Sequence, residues 1–458
     1  MDCCPAAPQV ERSVIQPTTR KLLDRAFSTV GLFAIALMIA ALAAILVPIF
    51  RQGVGAVCFR ATVEHRKQMH TLFGRGDAAA LQQEIEATEA ARQPVYDMLA
   101  SYKNLPAAQR RVTASAYRDL EKALRALLGP LPGDEPRLMP REQFGQARWD
   151  RAAVKLNDLL YVKTWDYSTP GALGVEKLTP RKEKLAGTPL YDVPDYVAQN
   201  MSAMLRPRLT CYWRFLTDKA VDIHFFGGIG PELLGTLYLA LGAMLFAAPL
   251  GIIAAIYFTE YARQGRIVNL LRSCVGTLAG VPSIVFGLFG LAFFINTLRV
   301  SPSKSVIAGS LTLGLLILPT VIRTAEEAIM AVPRTYKEAA LSLGAGRWHT
   351  ILTVILPAAL PGILTGVVIA LGRAAGETAP IIFTAAVSVG LALKPWEVLT
   401  NPTPALSWNI YNLATEHEAA DEIRHVQFGM VMALIGLVLV LNLTAIFVRA
   451  RIAARMKG

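Results

Sequence analysis

An arginine and a glutamate stand four residues apart in ALGRAAGETAP, residues 370–380, within a stretch otherwise rich in alanine, glycine and leucine. In a helix that spacing puts Arg373 and Glu377 on one face, one turn apart. An arginine at the centre of a bilayer costs about 2.5–3.5 kcal/mol on insertion scales, so it must face the bundle interior, where Glu377 can pair with it. Two roles fit. The pair can be an ion pair that fixes helix packing. It can also be a gate for an anion. A guanidinium offers a planar fork suited to phosphate oxygens, and a carboxylate one turn away can compete for it and release the anion. Gly372 and Gly376 allow close helix approach here, and Pro380 can kink the span.

The elements that must hold such a pair follow from composition. Of 458 residues, 53% are hydrophobic and 17% charged, which indicates a membrane protein with room for one further domain. Six stretches approach the roughly 20 apolar residues a span requires: 26–50, 233–258, 273–298, 305–322, about 362–385, and 427–448. The first is too long and too evenly apolar for a cleaved signal peptide and reads as an anchor. The fifth is expected to open after the Leu-Pro pairs at 356–357 and 360–361. Arg373 then lies 11 residues in, roughly 16 Å deep and near the midplane.

Basic residues flank these spans on one side. Arg20 and Arg25 precede the first, Arg263 and Arg272 follow the second, Arg334 and Arg347 follow the fourth, and Arg449 and Arg455 follow the last. The positive-inside rule makes that side the cytoplasm and places both termini there, in a multi-pass inner-membrane protein. The net charge of +12 therefore needs no nucleic-acid partner. The expected organisation is all-α: a cytoplasmic head 1–25, a first span 26–50, an external, mainly helical insert 51–224, a five-span core 225–449, and a basic tail 450–458.

In the insert, Leu81, Ile85, Thr88, Val95 and Leu99 keep helical spacing behind Asp77 as N-cap. Val112, Ala116, Leu120, Leu124 and Leu127 form a second helix, and a third covers about 144–160. From STPGALG at 168–174 onward, recurring Pro and Gly read as loop. The insert can be a helical cap on the bundle or a docking surface for an external partner. Cys58 and Cys211 stand near its two ends, which must approach one another because both join one bundle. The two can bridge as a disulfide or stay free. Cys3 and Cys4 have no evident partner, and Cys274 reads as a packing residue at a span end. The five cysteines have no zinc spacing, so no metal is expected. His65, His70, His417 and His425 read as surface residues, and FFGGIG at 225–230 as a flexible approach to the bundle.

The loop before the fifth span reads YKEAALSLGAGRWHTILTVILPAALPG, a short helix of good formers ended by Gly344. It can cap the bundle or be an anchor set into a partner's groove. Glu338, Ala339, Ala340, then Gly344, Val354 and Leu356-Pro357 resemble the EAA loop of ABC importer permeases, with Val354 where isoleucine is usual. GVPSIVFGLFG and GRAAGETAP narrow the resemblance to permeases of the phosphate-specific importer, and LPTVIRTAEEAIMAVPRTYKEAALSLGA to their A-type members, the PstA kind. It covers the first span and roughly 225–449, but not most of 51–224.

That resemblance implies six transmembrane helices of the type I permease kind and a subunit of an ATP-driven phosphate importer. It implies that Glu338, Ala339, Ala340 and Gly344 dock onto a separate ATPase, which holds ATP and Mg. It also implies phosphate passage at Arg373 and Glu377, with Arg323 as a further path residue or a snorkelling anchor. The implied partners are a homologous permease of the PstC type, two ATPase subunits and a periplasmic phosphate-binding protein. This subunit carries no catalytic residue and no cofactor of its own: GPELLGTL lacks the lysine of a phosphate-binding GxxxxGK[ST] loop. The rival readings are an importer of another oxyanion, sulfate or molybdate; a membrane sensor, for which the cytoplasmic pieces are too short to bury a core; and a carrier that uses no ATPase.

Overall fold

A computed structural model describes residues 17–133, 146–166, 175–263, 265–416 and 420–457. Packing divides the chain into two units, 1–52 and 53–458. The first is carried by helix α1 (Pro17–Val57), whose residues from 26 to 44 are exposed on every side although almost all are apolar. A helix apolar all round is matched to hydrocarbon rather than to water.

The insert opens on β1 (Cys58–Ala61) and closes on β4 (Arg208–Cys211), and the two pair antiparallel with Cys58 opposite Cys211. Between them run α2 (Val63–Phe73), α3 (Ala78–Lys103), α4 (Ala107–Leu128), α5 (Trp149–Leu160), the hairpin β2 (Tyr161–Asp166) and β3 (Val175–Pro180), and α6 (Val193–Leu205). Asp77 caps α3 by accepting from Ala79 N at 2.9 Å. One apolar stripe of α4, Leu120, Leu124 and Leu127, is fully buried against Leu159 of α5 and Val197 and Met204 of α6.

The stretch after 168 is not the expected loop. STPGALG itself lies outside the described residues, but β3, α6 and β4 follow it. Pro194 falls in the first turn of α6, where its missing N–H leaves no bond unmade. FFGGIG is not flexible either. Phe226 and Gly227 form β6, paired with β5 (Ala220–Val221), and Gly228 and Gly230 lie too close to the carbonyls of Phe215 and Thr217 to admit any side chain.

The core follows: α7 (Gly230–Ile256) with a wide turn at Tyr257–Tyr261; α8 (Arg266–Leu278); α9 (Ser283–Gly290) with wide turns to Thr297; α10 (Val306–Met330); α11 (Arg334–Ser342); α12 (Arg347–Thr350); α13 (Leu356–Gly376); α14 (Ala379–Thr384); the parallel pair β7 (Ala386–Val387) and β8 (Thr403–Pro404); α15 (Leu406–Thr415); and α16 (Ala420–Lys457). Small residues let the helices close up: Gly251 faces Val321, Gly314 faces Phe246, Gly362 faces Ala328 and Gly366 faces Thr324.

Among the described residues, five helices are long and apolar enough to cross a membrane. A sixth crossing exists if α8 and α9, bent by 100°, count as one. The expected span 273–298 is thus not one straight helix: Gly280 and Pro282 interrupt the ladder near its start. The fifth span differs in the other direction. It runs unbroken from Arg347 to Gly376, and the Leu-Pro pairs do not break it. The turn at Ile351–Ile355 is widened to a π-helix, which makes room for Pro357 within a continuous helix.

Candidate functional site

Helix α13 ends at Gly376, and Glu377 leaves it with ψ 135°. Arg373 occupies the last turn, and its Nε donates to Glu377 Oε1 at 3.3 Å. The pair forms, but not as two rungs of one helix. Arg373 lies 26 residues after the helix opens at Arg347, about 39 Å along it rather than 16 Å. Its side chain is 45% exposed and that of Glu377 19%, so the guanidinium is not enclosed within this chain. Ser407 of α15 donates its hydroxyl to the Glu377 carbonyl at 2.9 Å.

The segment that follows this break packs on α9. Gly287 of α9 lies against the Ala379 carbonyl and Pro380, and Gly290 lies against Thr312 and Thr384. Gly287 and Gly290 of GVPSIVFGLFG are therefore the seat for α14, which opens within the TAP of GRAAGETAP. A side chain at either position would push α14, and with it Glu377, away from α9.

Arg323 sits apart. It is exposed on α10, has no hydrogen bond or ion pair among the described residues, and approaches Gly276 of α8. Gly362 facing Ala328 and Gly366 facing Thr324 make α10 and α13 antiparallel, which sets Arg323 level with about residue 367. That is roughly 9 Å along the axis from Arg373.

Helix α11 carries Glu338, Ala339 and Ala340 and buries none of its nine residues. Gly344 has φ +85°, a conformation for which glycine is the ready choice. Leu343 and Trp348 beside it are 89% and 59% exposed. Lys337 is tied by an ion pair to Glu260, in the wide turn that follows α7. A cleft of about 610 Å³ lies between α11 and the ends of α7, α8 and α10, with Arg272 and Glu338 on its walls.

Cys58 and Cys211 are joined as a disulfide, with Cα atoms 4.2 Å apart. Arg75 and Tyr212 both donate to the Asp218 carboxylate near this point, Tyr212 at 2.6 Å. Burial alone would raise the Asp218 carboxyl, but these two donors outweigh it and hold it below its usual range. Cys274 is exposed in this chain rather than packed. Cys3, Cys4 and His417 lie outside the described residues. Among the described residues no cluster of His, Cys, Asp and Glu is arranged to hold a metal.

The histidines depart most from their sequence reading. His65 is buried between Phe59, Tyr212 and Phe226, and burial, with Arg148 and Arg66 nearby, lowers its pKa to about 3. His425 is half-buried, with Nε2 at 3.2 Å from Arg151. His224, not singled out in the sequence, is buried with its Nε2 at 2.9 Å from Glu232 Oε1. An isolated glutamate two residues after a glycine-rich run gives no periodic signal, so neither partner was legible.

The family described as binding-protein-dependent transport system inner membrane component matches residues 247–458. The chain is 34% identical over 242 residues to the probable ABC transporter permease protein YqgI of Bacillus subtilis, covering 51% of this chain and 81% of that one. It is 36% identical over 238 residues to phosphate transport system permease protein PstA 1 of Mycobacterium tuberculosis, covering 52% and 76%. Against a Yersinia pestis PstA it is 36% identical over 222 residues, covering 48% and 71%. Among solved structures, an inward-facing form of the MetNI methionine ABC transporter aligns with a TM-score of 0.39 and 18% identity, over 48% of this chain and 94% of that one. The family match and relatives of more than 30% identity, covered over three quarters of their length, identify the chain as a binding-protein-dependent transport system inner membrane component, an ABC importer permease.

Proposed function

We propose that this permease carries inorganic phosphate, and that Arg373 and Glu377 meet the anion on its path. One observation carries the reading: an arginine whose side chain is 45% exposed at the end of a membrane helix, with its carboxylate partner on the adjoining break. A half-exposed arginine is costly against lipid but useful against an anion. A second permease packed on this face would enclose it. The relatives whose names include phosphate transport support phosphate over sulfate or molybdate. Arg323, roughly 9 Å along the axis from Arg373, is a second contact on the same path.

In this reading the partners are a homologous permease of the PstC kind, two ATPase subunits that hold ATP and Mg, and a periplasmic phosphate-binding protein. The exposed face of α11, with Glu338, Ala339, Ala340 and the Gly344 turn, enters the ATPase groove. The termini are cytoplasmic and the insert 51–224 is periplasmic. Uptake of labelled phosphate, sulfate and molybdate by the assembled complex in proteoliposomes is the test. ATP-dependent uptake of phosphate alone is expected; preferential uptake of sulfate or molybdate overturns the assignment.

A further inference from the structure

Buried polar groups are costly unless they are hydrogen-bonded, so a buried cluster marks a place where the fold must hold still. Glu232, in the first turn of α7, is fully buried, as is Asn409 of α15; His224, at the end of the insert, is 3% exposed. Glu232 Oε1 takes His224 Nε2 at 2.9 Å and Asn409 Nδ2 at 3.4 Å. Thr236 Oγ1 donates to the Glu232 carbonyl at 2.8 Å and accepts from Leu406 N at 2.9 Å, so a side chain of α7 caps the start of α15. Gly235 lies too close to the Pro404 carbonyl to admit a side chain. Helix α15 is thereby locked onto α7.

The insert joins the same knot through a strained turn. Asp222, Ile223 and His224 have φ 48°, 50° and 69°, three successive non-glycine residues in left-handed conformation. Such strain persists where the surroundings over-determine the backbone. Here the turn delivers the His224 imidazole to Glu232.

Two residues before Asn409, Ser407 reaches the opposite way and donates to the Glu377 carbonyl at 2.9 Å. Glu377 has left the helix, so its backbone is not placed by the helical ladder. Its Cβ and carbonyl carbon turn together about the N–Cα bond, so a change in φ that takes the carbonyl off Ser407 also swings the carboxylate off Arg373.

We propose that Ser407 is the positioning residue for Glu377, and that the Glu232–His224–Asn409 knot is the fixed point from which it acts. The insert and the Arg373–Glu377 pair are then parts of one rigid linkage. This rests on the reading of Arg373 and Glu377 as anion-contacting residues.

The test is phosphate uptake against concentration by the assembled complex in proteoliposomes. Ser407→Ala removes one hydrogen bond and lowers the maximal rate about fivefold, with KM and assembly unchanged; Ser407→Thr, which keeps the hydroxyl, restores most of it. In a Glu377→Gln background Ser407→Ala adds no further loss, because there is no carboxylate left to place. Asn409→Ala follows the same pattern. A wild-type rate for Ser407→Ala, or the same fivefold loss in both backgrounds, overturns the positioning role. An additive loss for Asn409→Ala overturns the role of the knot. Arg373→Gln is the separate arm. If that variant still transports, the anion-contact reading fails whatever Ser407 does; if it is dead while Ser407→Ala is normal, only the positioning role fails.

Discussion

Replacing Gly344 with alanine should weaken the attachment of the ATPase without disturbing the membrane bundle. An added Cβ at Gly344 meets no atom within 4 Å, so the cost is not a clash. It is conformational: φ is +85°, and the left-handed region costs an L-residue about 1–2 kcal/mol. At about 1.4 kcal/mol per factor of ten, that reduces the population of the docking-ready turn roughly 5- to 30-fold. Gly346, two residues on, has equally open space but an ordinary φ of −69°. Gly346→Ala is therefore the matched control and should be silent. Gly344→Asn should fall between them, since asparagine tolerates this region. The assay is copurification of the ATPase subunit with tagged permease, alongside phosphate uptake. Equal recruitment by Gly344→Ala and Gly346→Ala would refute the reasoning and leave the loop as a cap.

Three further outcomes are expected. The Cys58–Cys211 bridge closes a loop of sequence separation 153, for which loop-closure entropy allows up to about 5 kcal/mol; the double serine variant should melt earlier and lose its reductant-dependent mobility, and two free thiols by mass spectrometry would contradict this. His65 has its folded pKa lowered from 6.5 to about 3, so its contribution to insert stability is full above pH 6.5 and is lost as pH falls toward 3. Linkage gives a loss of about 2 kcal/mol at pH 5, read as weaker hydrogen-exchange protection of the insert, which His65→Leu should abolish; an unchanged pH response in that variant counts against it. Single cysteines at Gln82 and Lys457, in a background free of other reactive cysteines, should differ toward an impermeant thiol reagent on intact cells. Labelling of the tail and not the insert would reverse the topology.

What the sequence revealed, and what it hid, divides along the range of the interactions. Asp77 as a cap and Leu120, Leu124 and Leu127 as a buried stripe are local patterns, and the structure has both. The approach of Cys58 to Cys211 followed from connectivity alone. Hydropathy does not register the break at 279–282, a bend inside an apolar run, although Gly280 and Pro282 mark it. Pro357 and Pro361 misled in the opposite sense: a widened turn precedes Pro357, and Pro361 lies inside the continuous helix. Recurring Pro and Gly after 168 read as loop, but the place of Pro194 in a first turn makes it a helix starter. Arg373 and Glu377 were visible as charges out of place, but the helix end between them was not. The knot at Glu232 joins residues 224, 232 and 409, and no spacing rule connects them.

The most direct measurement is phosphate uptake by three variants of the assembled complex: Arg373→Gln, Glu377→Gln, and the two together. A packing clamp and an anion contact differ in the double variant, because in a clamp each single variant leaves an unpaired charge at the helix contact and the double variant leaves none. If Arg373 meets the anion, Arg373→Gln abolishes uptake with assembly intact, Arg373→Lys fails substantially because a point charge cannot replace the planar fork, and the double variant stays inactive. Recovery of uptake in the double variant would contradict an anion contact at Arg373 and reduce the pair to a clamp between helices.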